Sequence, residues 1–190
     1  MLSNTSERLR KFFDKIYSPK NMILCVTGDS DFEKICNFAE KNFGDDGEKV
    51  VYPKVETKNG IKIEKRKGVD QANLVFAYNV PIPTDDLNYA AQVLIILMAG
   101  GMSSRLFSEI REKRNLAYAV KGMCEGEKDY AYNAVYVGTT AENVETVKKL
   151  ILEEFKKVSD SLSISELNQV KEQIIGNYLL GLGYTLQLIY

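Results

Sequence analysis

Two polar side chains in the stretch from Ala99 to Tyr118 could act on a carbonyl group. Arg111 lies on a charged helical segment, and Tyr118 follows it by seven residues at the start of an aromatic alternation. A guanidinium presents a fixed fork of donors to a carbonyl oxygen, and a tyrosine hydroxyl can donate to an oxygen that becomes negative during a reaction. From the spacing alone, an arginine on a helix is more often a surface group and a tyrosine on a strand is more often a packing residue, so both interpretations stay open.

The sequence lacks the histidines and closely spaced cysteines that usually bind zinc. The chain contains no histidine, and Cys25, Cys36 and Cys124 are too far apart for a zinc knuckle or a disulfide framework. We expect these cysteines to be buried, reduced core residues, because free cysteine packs as a small hydrophobe. This expectation indicates a reducing, cytoplasmic location.

Composition argues against two classes of partner. With 45% hydrophobic residues, 27% charged residues and a net charge of −1, the chain has no basic excess for binding nucleic acid. The longest apolar run, Val93–Ala99, is too short to cross a bilayer. We therefore expect no nucleic acid and no membrane as partner.

The sequence pattern of the first part of the chain predicts a helix, a strand, a second helix and a linker. Apolar residues at helical spacing predict a helix over 3–17, and Met22–Val26 reads as a buried strand. Ser30 and Glu33 form a capping-box pattern that opens a second helix. Turn residues, Pro53 among them, then interrupt the periodicity from Gly44 to Gly60.

The remainder alternates between strands and helices and includes a β-hairpin. The predicted fold is α+β with two layers, a mostly antiparallel sheet with helices packed on one face. Arg105–Glu109 and Glu109–Lys113 are expected to form i,i+4 pairs on the second of these helices. The predicted elements are strands at Ile61–Ile63, 71–80, 116–121 and 130–136, and helices at 84–99, 103–114, from Thr139, and from Ser163.

Several segments match one peptidase family in the right order. Residues 100–113 read Gly-Gly-x-Ser-Ser-Arg-Leu-Phe-x-Glu-Ile-Arg-Glu-Lys, and residues 116–118 read Leu-Ala-Tyr. Residues 17–22, Tyr-Ser-Pro-Lys-Asn-Met, lead to Gly28-Asp29. The first pattern resembles the second homologous half of pitrilysin-type (insulysin-like) zinc metallopeptidases and mitochondrial processing peptidases. The other resembles the late part of the family's first half.

The resemblance implies that the chain contains parts of both halves of the family's fold. Residues 1–54 would close the family's N-terminal half, and residues 55–190 would be its C-terminal, zinc-free half, incomplete at its end. The second half lacks its own closing segment in this chain. We hypothesise that residues 3–28 take the place of that segment, in this chain or in another, and so form one domain that looks circularly permuted. Such filling would cover a sheet edge and an apolar face.

The resemblance also assigns the site. Arg111 and Tyr118 match the family's substrate-contacting arginine and tyrosine. The family's zinc is held by H-x-x-E-H and a distant glutamate, so the resemblance places zinc in the parent protein and outside this fragment. We expect no metal site, no catalytic residue and no peptidase activity in the fragment alone. Its expected partners are a peptide and a zinc-bearing half or subunit, in a homodimer or heterodimer.

Other interpretations stay open. The chain could belong to a non-catalytic peptide-binding or scaffolding subunit of a processing-peptidase-like complex, or to an interaction domain that shares only the fold. Gly100-Gly101 reads as a helix stop or as a short form of the family's glycine-rich loop. Tyr130, Tyr132 and Tyr136 would pack against helices or line a peptide-binding sheet. Asn115 replaces a family glycine, which a left-handed turn tolerates.

Overall fold

A computed structural model describes residues 5–44, 46–51 and 55–187, with side chains to residue 181. The chain forms two compact units, one within residues 1–54 and one within residues 55–188. The first residues of the predicted helix over 3–17, and Pro53 in the predicted linker, lie outside the described residues.

The first unit contains two helices joined by an irregular segment. Helix α1 spans Ser6–Ile16 and α2 spans Phe32–Phe43, with a short 3-10 turn at Pro19–Asn21. Asp31 caps α2 by accepting from the Lys34 amide at 3.2 Å, so the prediction that Ser30 provides the cap is wrong. A cap at Asp31 leaves its carboxylate against the positive end of the helix dipole.

The predicted strand at Met22–Val26 does not form. None of these residues has a ladder partner in the described part of the chain, and Ile23 is 91% exposed. A short apolar run becomes a strand only when another strand satisfies its backbone groups. The expectation that the cysteines are buried also fails, since Cys25 is exposed and Cys36 and Cys124 are partly exposed.

The side chain of Asn21 ties the segment after α1 to the segment after α2. Its Nδ2 donates to the carbonyl of Glu48 at 2.9 Å, and its Oδ1 accepts from the Val50 amide at 2.7 Å. Ser18, which is buried, donates to the same Glu48 carbonyl at 3.3 Å. These bonds satisfy backbone groups that no regular element takes up.

The second unit is built on a three-stranded antiparallel sheet. Strand β1 spans Gln71–Asn79, β2 spans Ala117–Gly126 and β3 spans Ala131–Thr140, in the order β1-β3-β2. Strands β2 and β3 form the predicted hairpin. The predicted strand at Ile61–Ile63 is absent: both residues are exposed, and neither pairs with a strand among the described residues.

Helices cover one face of this sheet, which confirms the predicted α+β, two-layer architecture. Helix α3 spans Leu87–Ala99, α4 spans Val144–Ser161 and α5 spans Ile164–Gln187. Alternate residues of the strands point toward the helices and meet the apolar faces of α3 and α4. The fully buried side chains of this core include Met98, Leu106, Ile110, Val135, Val137, Val147 and Ile151.

Hydrogen bonds and an ion pair connect the segment that follows α3 to α5. Helix α3 ends before Gly100, as predicted. Arg105 forms a two-pronged ion pair with Glu166, at 2.5 and 2.6 Å, and Gln173 donates to the Gly100 carbonyl at 3.0 Å. The predicted Arg105–Glu109 pair is therefore wrong, because the carboxylate of α5 presents both oxygens to the guanidinium fork. The predicted Glu109–Lys113 pair does form.

Candidate functional site

Arg111 lies on a π-helical turn rather than on the predicted α-helix. The turn spans Phe107–Glu112, and the Lys113 amide donates to the Ser108 carbonyl, five residues back, at 2.9 Å. Such widened turns are rare and frequently occur at functional sites. The Arg111 guanidinium carbon lies 4.9 Å from the centre of the Phe107 ring, in a cation–π contact that orients it.

The guanidinium of Arg111 has no ion pair or side-chain hydrogen bond with any other described residue. The nearby carboxylate of Glu109 is taken by Lys113 and Arg114, whose hydrogen bonds lower its pKa below the usual value. Arg111 is exposed. Its donors are therefore free to bind an external acceptor.

Asn115 turns the chain from the π-helical turn into β2. Its φ of +51° is the one positive value among the described residues other than glycine, which confirms the expected left-handed conformation. The Leu116 amide donates to the Ile110 carbonyl at 2.9 Å and closes the turn. This tight connection fixes where Tyr118 enters the sheet.

Tyr118 is the extra residue of a β-bulge. Ala117 pairs with Thr139 and Ala119 pairs with Gly138, so Tyr118 has no partner of its own on β3. Bulges re-aim side chains and are common beside active sites. The aromatic ring lies over Gly138, where a Cβ atom would come within 2.3 Å of the ring Cζ. The side chain remains 44% exposed.

The hydroxyl of Tyr118 meets a polar group from the far strand of the sheet. It donates to Asn73 Oδ1 at 3.3 Å, and the Tyr136 hydroxyl donates to the same oxygen at 2.7 Å. The neighbouring Tyr136 hydroxyl raises the pKa of Tyr118 above its usual value. Tyr118 therefore stays protonated at neutral pH, and its hydroxyl acts as a donor.

Tyr136 and Tyr132 lie on the sheet face opposite α3 and α4. They alternate along β3 with the buried Val135 and Val137, which face the core. The prediction that Tyr132 and Tyr136 pack against helices is therefore wrong. The alternative that they line a peptide-binding sheet stays a prediction. Tyr130, at the end of the hairpin turn, stacks with Tyr132 at a ring separation of 6.5 Å.

The structure positions the two predicted site residues through different neighbours. Arg111 rests on Phe107, whereas Tyr118 rests on Gly138 and Asn73. No hydrogen bond joins Arg111 to Tyr118 within the described ranges. Sequence reasoning missed Asn73 and Gly138 as site residues. A polar residue inside a strand and a glycine flanked by β-branched residues were the available signals.

The described residues do not provide a set of ligands that fits zinc. Histidine is absent from the sequence, and among the residues with described positions no three Cys, Asp or Glu side chains are grouped to hold an ion. In the same ranges, no helix is long and apolar enough to span a bilayer.

Comparison with known proteins identifies relatives along most of the chain. The family model described as "Peptidase M16 inactive domain" matches residues 3–174. A protein of Rickettsia felis named "Uncharacterized zinc protease" is 32% identical over 181 residues, covering 94% of this chain and 44% of its own length. A Streptomyces coelicolor protein, also named as an uncharacterized zinc protease, is 30% identical, covering 94% and 41%.

A solved structure supports the same fold. A protease from Helicobacter pylori superposes with a TM-score of 0.77 at 23% identity, covering 96% of this chain and 46% of that protein. At that identity the likeness shows the fold alone. This chain spans less than half the length of the relatives it matches.

Proposed function

Because this chain belongs to the peptidase M16 (pitrilysin-type) family, we propose that it forms the zinc-free, peptide-binding part of a zinc metalloendopeptidase. Arg111 and Tyr118 are the substrate-contacting residues. The observation that carries the proposal is the placement of the Tyr118 hydroxyl, which is half exposed and is positioned by a bulge and by contacts from two other strands. Such a preorganised donor is of little use to folding and suits a reacting carbonyl.

Each side chain has a separate task in this proposal. The free fork of Arg111 donates to a carbonyl oxygen of the bound peptide and fixes its direction. Tyr118 donates to the carbonyl oxygen that becomes negative when water attacks the peptide bond. The open face of the sheet, with Tyr132 and Tyr136, offers an aromatic surface beside them.

In this proposal the zinc lies outside this chain, because the sequence has no histidine and the described residues lack a fitting ligand set. This chain aligns with only 41–44% of the length of two relatives named as zinc proteases. We therefore assign the metal to a zinc-bearing half or subunit. This part associates with the present chain in a homodimer or a heterodimer. We assign residues 1–54 to the closing segment of the family's first half and residues 55–190 to the second half.

The test uses the full-length protein with its zinc-bearing part and a fluorogenic peptide. Tyr118→Phe removes only the hydroxyl and should lower kcat by about 100-fold. Arg111→Ala should lower kcat/KM by about 10-fold or more, through lost charge-assisted hydrogen bonds. Arg66→Ala, which removes another exposed arginine of the second unit, serves as the control. Wild-type rates for both site variants, at unchanged Tm, would overturn the assignment.

A second measurement separates the proposed enzyme from a non-catalytic subunit. The full-length sequence should contain H-x-x-E-H, and the purified protein should carry about one zinc ion for each such motif. If the motif is absent and the protein co-purifies with a zinc-bearing homologue, the chain belongs to a peptide-binding or scaffolding subunit instead.

A further inference from the structure

Two tyrosine hydroxyls converge on one amide oxygen across all three strands. Asn73 on β1 accepts from Tyr118 on β2 and from Tyr136 on β3. An amide oxygen has two lone pairs and can accept both protons. The three side chains lie on the face opposite the helices, where Asn73 stands in register with Gly138.

We propose that Asn73 is a positioning residue for Tyr118, holding its hydroxyl above Gly138 so that it can donate to the substrate oxygen. This inference rests on the proposed function of Tyr118. Asn73 itself touches no reacting atom in this arrangement. It acts through the phenol, and Tyr136 anchors the amide from the other side.

The two hydrogen-bond lengths indicate that Asn73 is held firmly by Tyr136 and that Tyr118 is held weakly by Asn73. The Tyr136–Asn73 bond, at 2.7 Å, has the usual hydroxyl length, whereas the Tyr118–Asn73 bond, at 3.3 Å, is long and weak. Tyr136 therefore fixes the amide orientation. Tyr118 can exchange its weak bond for a stronger one to a negative oxygen at little cost.

The fold gains little from asparagine at this position. Asn73 is exposed, and asparagine is depleted in strands because it packs poorly on a pleated surface. The buried face of β1 is made by Leu74 and Phe76, which pack against the core. Replacing Asn73 should therefore change the orientation of Tyr118 more than the stability of the sheet.

The test is a double-mutant cycle in the full-length, zinc-loaded protein. Asn73→Leu keeps the side-chain size and removes the acceptor. It should lower kcat by about fivefold with KM unchanged, because the Tyr118 phenol is no longer held in its donating orientation before it exchanges its bond for one to the substrate. In a Tyr118→Phe background the same change should have no further effect. Asn73→Val, favoured in strands, repeats the measurement if Asn73→Leu lowers Tm. Asn79→Leu, on the same face of β1, is the control and should keep wild-type kcat.

A spectroscopic arm distinguishes failure of this inference from failure of the proposed function. With tyrosines labelled at 13Cζ, the Tyr118 resonance should shift in Asn73→Leu and stay unchanged in Asn79→Leu. If Tyr118→Phe retains wild-type turnover, the proposed function fails while a shifted resonance still supports positioning. An unmoved resonance, or losses in kcat that multiply independently in the double variant, would overturn the role of Asn73.

Discussion

The ring of Tyr118 lies directly over Gly138, on the neighbouring strand. A Cβ atom at position 138 would stand 2.3 Å from the ring Cζ and 2.6 Å from the hydroxyl oxygen. Real Cβ atoms do not approach other atoms so closely, so the ring occupies its place because residue 138 has no side chain. The placement of the candidate donor thus depends on a glycine in β3.

Gly138→Ala should displace Tyr118 without unfolding the protein. The displaced group is the far end of an exposed side chain, which can swing away at little cost in stability. We expect kcat to fall toward the level of Tyr118→Phe, on the order of 100-fold, with Tm changed by a few degrees at most. Gly60→Ala, where a Cβ meets nothing within 4 Å, is the control. Wild-type kcat in Gly138→Ala would contradict the steric argument.

Glu166→Gln should destabilise the second unit by about 1 kcal/mol. The Glu166 carboxylate makes two short bonds to Arg105, and both side chains are mostly buried, so solvent screens the pair less than it screens a surface pair. Urea unfolding measures the change. Glu145→Gln removes an exposed carboxylate 3.6 Å from Lys148 and should change stability very little. If both variants lose the same free energy of unfolding, the Arg105–Glu166 pair contributes no more to stability than an exposed surface pair.

Stability should fall in acid through Glu109 and Glu166. Hydrogen bonds from Lys113, then Arg114, lower the pKa of Glu109, and the bond from Arg105 lowers that of Glu166. Because both folded pKa values lie below the unfolded values of about 4.3, their contribution is complete above that range. It is lost as pH falls toward the folded pKa values, where the unfolded chain binds protons first.

The pH dependence is checked by urea unfolding at several pH values between 7 and 3. Glu166→Gln should flatten the acid limb of the stability profile, since it removes one of the two linked carboxylates. A profile with the same slope in the variant and in the wild type would exclude Glu166 as a source of the acid sensitivity.

Gly122→Val should destabilise the contact between α3 and β2 by about 1–3 kcal/mol. A Cβ atom at position 122 would lie 3.0 Å from the Ala99 Cβ and from the Ile95 carbonyl oxygen, leaving no room for further methyl groups. Met123→Val, on the opposite face of the same strand and 43% exposed, is the matched control. A smaller loss in Gly122→Val than in Met123→Val would mean that α3 can move away from the sheet.

Local chemistry made several parts of the molecule predictable. Strand β1 ends where two prolines follow its apolar run, α3 ends at Gly100, and Ser163 accepts from the Glu166 amide at 3.2 Å as its capping pattern predicts. Asn115 adopts the expected left-handed turn. Each of these features depends on residues within a few positions of one another.

Competing local patterns were harder to rank. Asp31 and Ser30 are both good N-cap residues, and the difference in free energy between them is small. Met22–Val26 and Ile61–Ile63 have the pattern of strands, but they lack ladder partners among the described residues. A strand exists only with its neighbour, so its own sequence does not decide it.

The sequence by itself determined the family, the α+β class and the identity of Arg111 and Tyr118 as candidate site residues, because those depend on motif order and short-range periodicity. The tertiary structure alone decided that Tyr118 sits on a bulge over Gly138 and meets Asn73, which lies 45 residues away. It also decided that Arg105 pairs with Glu166, 61 residues away, instead of Glu109. The strand order β1-β3-β2 and its register create these neighbours, and register is set by packing of the whole sheet against the helices.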